Sequence, residues 1–204
     1  MKKFICLLIA LTCVLGLISC GKDEVAEFAE LVNASSPTKI TTLTSLNDGE
    51  ETLNGKYETV IDGQNSEMSY RYERYATVEE AADNHIKTVE GTVYYKNGLY
   101  SEDGENWISA TPDAAAQQVA LNLDAKSLGE YTISKDGKTL TTTVTSEQAE
   151  KILGVNVNAS DDKVTITVVH NGTYLSTVTV AYTTSAGSVT IDTSYTYTTV
   201  SSAE

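Results

Sequence analysis

The chain has 204 residues and a formal net charge of −14, from 14 Lys and Arg against 28 Asp and Glu. Hydrophobic residues make up 41% and charged residues 21%, with 2 prolines and 13 glycines, which excludes collagen-like, proline-rich and wholly disordered chains. No basic stripe follows residue 3, so the clustered Lys and Arg that neutralise phosphates are missing and no nucleic-acid partner is expected.

Met1-Lys2-Lys3 leads into an apolar run over 4–16. That run is shorter than the about 20 residues needed to span a bilayer, and it suits a secretory signal. It ends in Leu17-Ile18-Ser19-Cys20-Gly21, with an aliphatic residue three before the cysteine and a small residue just before it. This resembles the lipobox of bacterial lipoproteins. The resemblance implies cleavage between Ser19 and Cys20, acylation of the Cys20 thiol, and a mature chain beginning at Cys20. Of the 3 cysteines, Cys6 and Cys13 lie in the segment to be removed, so Cys20 has no disulfide partner, and acylation disposes of a free thiol outside the cell. The expected organisation is a signal peptide (1–19), a short lipidated tether (20–23) and one domain (24–204). At about 3.5 Å per residue the tether reaches only about 15–20 Å, close to a cell membrane or outer membrane, on its extracytoplasmic side. The membrane is thus an expected partner through the anchor alone. Loss of Lys2 and Lys3 takes the charge from −14 to −16, and anionic headgroups repel such a domain.

Residues 24–36 read as an amphipathic helix with Val25, Phe28, Leu31 and Val32 at helical spacing and Pro37 closing it. Turn dipeptides then recur at Asp48-Gly49, Asn54-Gly55, Asp62-Gly63, Asn97-Gly98, Asp103-Gly104, Asp136-Gly137 and Asn171-Gly172. Between them the polarity alternates. Met68, Tyr70 and Tyr72 share one face while Glu67, Arg71 and Glu73 take the other. Leu140 and Val144 face together with threonines opposite, as do Val164, Ile166 and Val168, then Val178, Val180 and Tyr182, then Val189, Ile191, Tyr195 and Tyr197. Such alternation describes an antiparallel sheet with one wet face. A second helix is expected over 112–128, with Thr111 as cap and an apolar stripe of Ala115, Val119 and Leu123. A third runs from a Ser146 cap to a Gly154 stop, and a brief turn over 78–84 is ambiguous. The fold class is therefore α+β: a curled, half-barrel-like antiparallel sheet of about eight to eleven strands, with the N-terminal helix and one or two others on its concave face.

Chemistry-bearing patterns are sparse. His85 and His170 are far apart and both flank turn residues; each reads as a base or metal ligand or, preferably, as an exposed loop histidine. Asp161-Asp162-Lys163 and Glu102-Asp103-Gly104-Glu105 offer oxygens but lack the spacing of the twelve-residue calcium loop. No catalytic residue, metal site or cofactor is expected, and the chain is not read as an enzyme. Trp107 is either a strand-end core residue, the preferred reading, or a stacking surface. Met68, Tyr70 and Tyr72 either line a crevice or belong to the core.

The order lipobox, amphipathic helix, strands, the hairpin Val93-Tyr94-Tyr95-Lys96-Asn97-Gly98-Leu99-Tyr100 running to Trp107, central helix and closing strands resembles the half-barrel lipoproteins related to LolA and the LppX/LprG group. That resemblance implies a lipid or acyl chain held between sheet and helices, and it carries over no individual residue's role. Together with the crevice expected from the helix-and-sheet pattern, it suggests a non-enzymatic binding protein. Its ligand crevice would be lined by Met68, Tyr70, Tyr72, Trp107, Val119 and Leu123. The alternative is a surface module binding a protein or glycan through its loops. The sequence names no protein partner.

Overall fold

The computed structural model describes residues 24–33, 36–77, 85–109 and 121–197. The expected signal segment, Cys20, the turn over 78–84 and Val119 lie outside these residues. Helix α1 occupies 24–33. Strands β1 (Lys39–Asn47), β2 (Thr52–Asp62), β3 (Asn65–Tyr75), β4 (Ile86–Lys96), β5 (Leu99–Ser101) and β6 (Ile108–Ser109) follow, then helix α2 (Ala125–Leu128). Strands β7 (Tyr131–Ile133) and β8 (Thr139–Val144), helix α3 (Ser146–Leu153), and strands β9 (Val164–His170), β10 (Leu175–Thr184) and β11 (Gly187–Thr196) complete the chain.

All eleven strands join one open, curled antiparallel sheet in the order β6-β5-β4-β3-β2-β1-β11-β10-β9-β8-β7. The chain meanders outward from β1 to one edge, passes to the opposite edge, and meanders back until β11 pairs with β1, for example Ile40 with Tyr195. The molecule is mostly sheet; among the described residues its helical cover is three short helices.

The alternation expected from sequence holds across this ladder. One face, called inner here, carries Val164, Ile166 and Val168, all fully buried, with Leu140, Val144, Val178 and Val180 beside them. On it lie Val25, Phe28 and Val32 of α1, Leu121, Leu123, Leu128, and Ala149, Ile152 and Leu153 of α3, in one packed cluster. At about 25 cal/mol per Å² of apolar surface removed from water, this burial is the main stabilising term. No hydrophobic side chain of β1–β6 belongs to that cluster among the described residues. The packed core therefore occupies the β7–β11 part of the sheet.

Three expectations change. Residues 121–124 are not helical: the Asp124 side chain caps α2, accepting from the Lys126 N–H at 3.2 Å, so the helix expected over 112–128 does not run through this stretch. The cap of α3 is Thr145, not Ser146. Asn54-Gly55 lies inside β2, because a glycine there admits Thr44 and Tyr72: a Cβ on Gly55 would sit 2.4 Å from Thr44 Oγ1 and 3.3 Å from Tyr72 Cβ.

Candidate functional site

The inner face continues past the packed core onto β1–β5, where aromatic and aliphatic residues stand with threonines, most of them half-buried and Ile40, Gly55 and Thr59 buried. Antiparallel register builds it in rows. Ile40, Thr59, Met68 and Val93 form one row; Thr42, Tyr57, Tyr70 and Gly91 the next; Thr44, Gly55, Tyr72 and Val89 the third. Tyr95 pairs with Tyr100 toward the edge. The expectation that Met68, Tyr70 and Tyr72 share a face is met.

Two glycines set the shape of this surface. Gly91 stands opposite Tyr70, and a Cβ there would fall 2.5 Å from Tyr70 Oη and 2.7 Å from Cζ, so the missing side chain lets the ring lie down over the backbone. Gly55 likewise leaves room for Thr44 Oγ1 and for the edge of the Tyr57 ring, whose Cε2 a Cβ would meet at 3.3 Å. The rings then meet side by side: Tyr57 and Tyr72 stack with centroids 6.4 Å apart and planes 14° apart, while Tyr70 and Tyr72 are 6.1 Å apart at 31°. Tyr95 and Tyr100 make a second pair at 6.4 Å. Each ring gives apolar area and a polar tip. Partial burial raises the phenol pKa of Tyr57 and of Tyr95, with the neighbouring Tyr72 and Tyr100 adding to it, so both stay neutral donors at physiological pH.

Of the remaining crevice residues, Leu123 and Trp107 are not assembled there, and Val119 lies outside the described residues. Leu123 is buried in the core cluster, because the 121–124 segment is drawn down by Asn122 N–H donating to the Ile152 carbonyl at 2.9 Å and by Asn33 Nδ2 donating to the Leu121 carbonyl at 2.9 Å. Trp107 is 36% exposed just before β6, a surface rather than a core position. The turn that delivers it is rigid. The Asp103 carboxylate accepts from the N–H of Asn106 and of Glu105, from Asn106 Nδ2 and from Ser101 Oγ, and these bonds hold it well below the usual carboxylate range. These oxygens are occupied in knitting the turn. No group of His, Cys, Asp and Glu among the described residues is arranged to hold a metal.

A second feature was not read from sequence. A cleft of about 470 Å³ lies between α1 and the β7–β8 turn, lined by Phe28, Leu31, Ile133 and His170 with Glu24, Glu27 and Lys135 at its mouth. His170, expected as an exposed loop histidine, is 8% exposed. Its Nε2 donates to the Gly137 carbonyl at 3.0 Å, its Nδ1 accepts from the Gly172 N–H at 3.0 Å, and Phe28 meets the ring edge-on at 4.8 Å. It packs because its position, last in β9, continues the inner-face alternation of Val164, Ile166 and Val168; that phase was the available signal. His85 is exposed and paired with Glu51 at 2.7 Å.

The outer face is mostly polar, with Leu43 and Val60 exposed on it. Lys39 and Lys56 both pair with Glu58, at 2.6 and 2.9 Å, and threonines face each other across β8 and β9. No described helix is long and apolar enough to cross a membrane. No protein-family model matches this chain, and no curated protein matches it.

Proposed function

We propose that this chain is a lipid-anchored, extracytoplasmic binding protein without enzymatic activity, whose sheet and helices act as a half-barrel for a lipid or other apolar ligand. The observation that carries the reading is the tyrosine-rich inner face of β1–β5, continuous with the core yet, among the described residues, outside the packed cluster. An acyl chain laid across Met68, Tyr70 and Tyr72 would remove that surface from water at about 0.8 kcal/mol per buried methylene, with the neutral phenols placed to donate to a headgroup or ester oxygen. The cleft at Phe28 and Leu31 falls in the volume range of small-molecule sites and lies on the first helix after the tether. Anchoring rests on the lipobox: acylation of Cys20 would hold the domain within about 15–20 Å of the bilayer, where such ligands are. The histidines support a non-enzymatic role, since His170 has both ring nitrogens on backbone groups.

Native mass spectrometry of protein purified from cells, followed by organic extraction, tests the reading. The expected result is a co-purifying lipid at near-stoichiometric occupancy that is lost in Tyr70→Asp and Tyr72→Asp variants that remain folded. Unchanged lipid content in those variants would remove the ligand from this face. A mature N-terminus that retains Met1, or an unmodified Cys20, would remove the anchor.

A second reading has its own support. Leu99, Trp107 and Ile108 are 39%, 36% and 54% exposed on the β5–β6 hairpin, Ile108 on the face of Tyr100 and Leu99 on the opposite one, and exposed apolar side chains of this kind suit a protein or glycan surface. A clean apo mass, unchanged after incubation with lipids, would favour it.

A further inference from the structure

β4 is eleven residues long, but β5 covers only Tyr94, Tyr95 and Lys96 of it. The pairing pattern fixes what the rest of that edge presents. The Asn97-Gly98 turn makes Lys96 and Leu99 a hydrogen-bonded pair, so the even-numbered residues of β4 point their backbone groups away from β3. The odd-numbered residues bond β3, as Val93 does with Met68, Gly91 with Tyr70 and Val89 with Tyr72. The N–H and C=O of Thr88, Glu90 and Thr92 therefore point outward, and no described strand pairs with them. Most edge strands are protected by shortness, bulges or proline; β6 and β7, at two and three residues, are. Over 88–92 β4 is neither short, bulged nor interrupted by proline, and Glu90 is the one charged side chain there.

We infer that this open edge of β4 accepts an extended peptide from a partner protein as an added antiparallel strand, and that the peptide alternates apolar residues with a central Lys or Arg. The side-chain pattern sets that choice. Thr88, Glu90 and Thr92 stand on the outer face, so the incoming residue opposite Glu90 meets a carboxylate whose cross-strand neighbour on β3 is Arg71 but which closes no ion pair among the described residues. Val89 and Gly91 stand on the inner face, where an apolar side chain lies against the valine and against the Tyr70 ring that covers the glycine. A chain of net charge −14 draws a cationic segment in from a distance. A second copy is disfavoured in the symmetric register, because it sets Glu90 against Glu90. This inference concerns the sheet edge and does not rest on the lipid-binding reading.

The test uses the full chain and a labelled nine-residue peptide alternating Thr with Val, its central residue Lys and one neighbouring Val replaced by Phe. A control peptide carries N-methyl groups on the Lys and on the Thr two places to either side. Binding of the first peptide is expected to slow hydrogen exchange at the amides of Thr88, Glu90 and Thr92 by about tenfold, leaving Val89 and Gly91, already bonded to β3, unchanged. Glu90→Lys is expected to weaken the binding about tenfold. Equal binding of the N-methylated control, failure of the first peptide to bind, or unaltered exchange at those three amides would each overturn strand addition. Insensitivity to Glu90→Lys would overturn the cationic partner. A dimer in sedimentation velocity that disperses in Thr88→Pro, which removes an outward N–H, would replace the peptide with a second copy.

Discussion

Thr142 is 2% exposed on the inner face between Leu140 and Val144, and its hydroxyl lies 2.5 Å from the Leu128 carbonyl and 2.9 Å from that of Glu130. It ties the end of α2 and the approach to β7 onto β8. Thr142→Val keeps the volume but leaves those carbonyls unpaired, and the expected loss is about 1–3 kcal/mol in urea unfolding, partly recovered in Thr142→Ser. The sequence showed threonines lying opposite Leu140 and Val144, but Thr142 shares their face; alternation supplies the phase, whereas the carbonyls that make a buried hydroxyl acceptable come from residues 12 and 14 positions away. At the surface, the Tyr75 hydroxyl donates to Asp48, whose carboxylate also accepts from the Glu51 and Glu50 N–H groups, and these bonds hold Asp48 at about 2 rather than 3.8. The same bond, with the nearby negative charge, pushes Tyr75 up to about 12 from 10.0. The contribution of Asp48 is present above about pH 4 and lost as pH falls through about 2; that of Tyr75 is present below pH 10 and lost as pH rises through about 12. NMR titration of the Tyr75 ring is expected to show the high value, and Asp48→Asn to return it toward 10 with the global unfolding midpoint unmoved, since both groups are exposed.

Helix α3 shows how local chemistry stops and starts an element. Thr145 Oγ1 accepts from the Gln148 N–H at 3.3 Å while Gln148 Oε1 accepts from the Thr145 N–H at 3.0 Å, and Gly154 closes the far end at φ 67° with its N–H on the Glu150 carbonyl. Thr145→Ala is expected to cost about 1 kcal/mol, and Glu147→Ala, which removes only the exposed pair with Lys151, far less, both measured by thermal unfolding. The Thr-x-x-Gln spacing was legible in the sequence as a capping box; choosing Ser146 put the cap one residue late. Ser146 instead serves the neighbouring loop, its N–H donating to Asp162 and its hydroxyl accepting from the Ala159 N–H. Turns were read well where glycine takes positive φ, as at Gly63 and Gly98, and misread at Asn54-Gly55, where glycine serves close approach inside a strand. Gly187 has both properties: φ is 141°, and a Cβ would fall 2.2 Å from the Asn47 carbonyl oxygen, an atom that cannot rotate aside. Gly187→Ala is therefore expected to cost about 3 kcal/mol and Gly91→Ala, which displaces only the tip of the Tyr70 ring, about 1 kcal/mol, again by thermal unfolding.

Across the whole molecule, strand existence and facing are local properties that periodicity records, whereas strand order is not. Nothing near Ile40 announces that its neighbour is Tyr195 rather than another tyrosine. The same limit explains why Leu123 was placed with Met68, Tyr70 and Tyr72: all are apolar and suitably spaced, but the strand order puts Leu123 over the β7–β11 part of the sheet. That order has an energetic consequence. Among the described residues, side chains of α1, α2, α3 and β7–β11 form the packed cluster, while β2–β6 contribute ladder hydrogen bonds and ring contacts but no hydrophobic side chain to it. Stability within a fold follows buried apolar packing, so the two arms should open at different cost. Hydrogen exchange on the native protein is expected to be slowest at Val164–His170 in β9 and distinctly faster along Asn65–Tyr75 and Ile86–Lys96. A lipid seated on the tyrosine face would raise protection on β3 and β4 and leave β9 unchanged, because it supplies to one arm the apolar cover that the helices give the other. Uniform protection across all eleven strands in the unliganded protein would show instead that the sheet opens as one cooperative unit, with its continuous ladder rather than its core setting the scale.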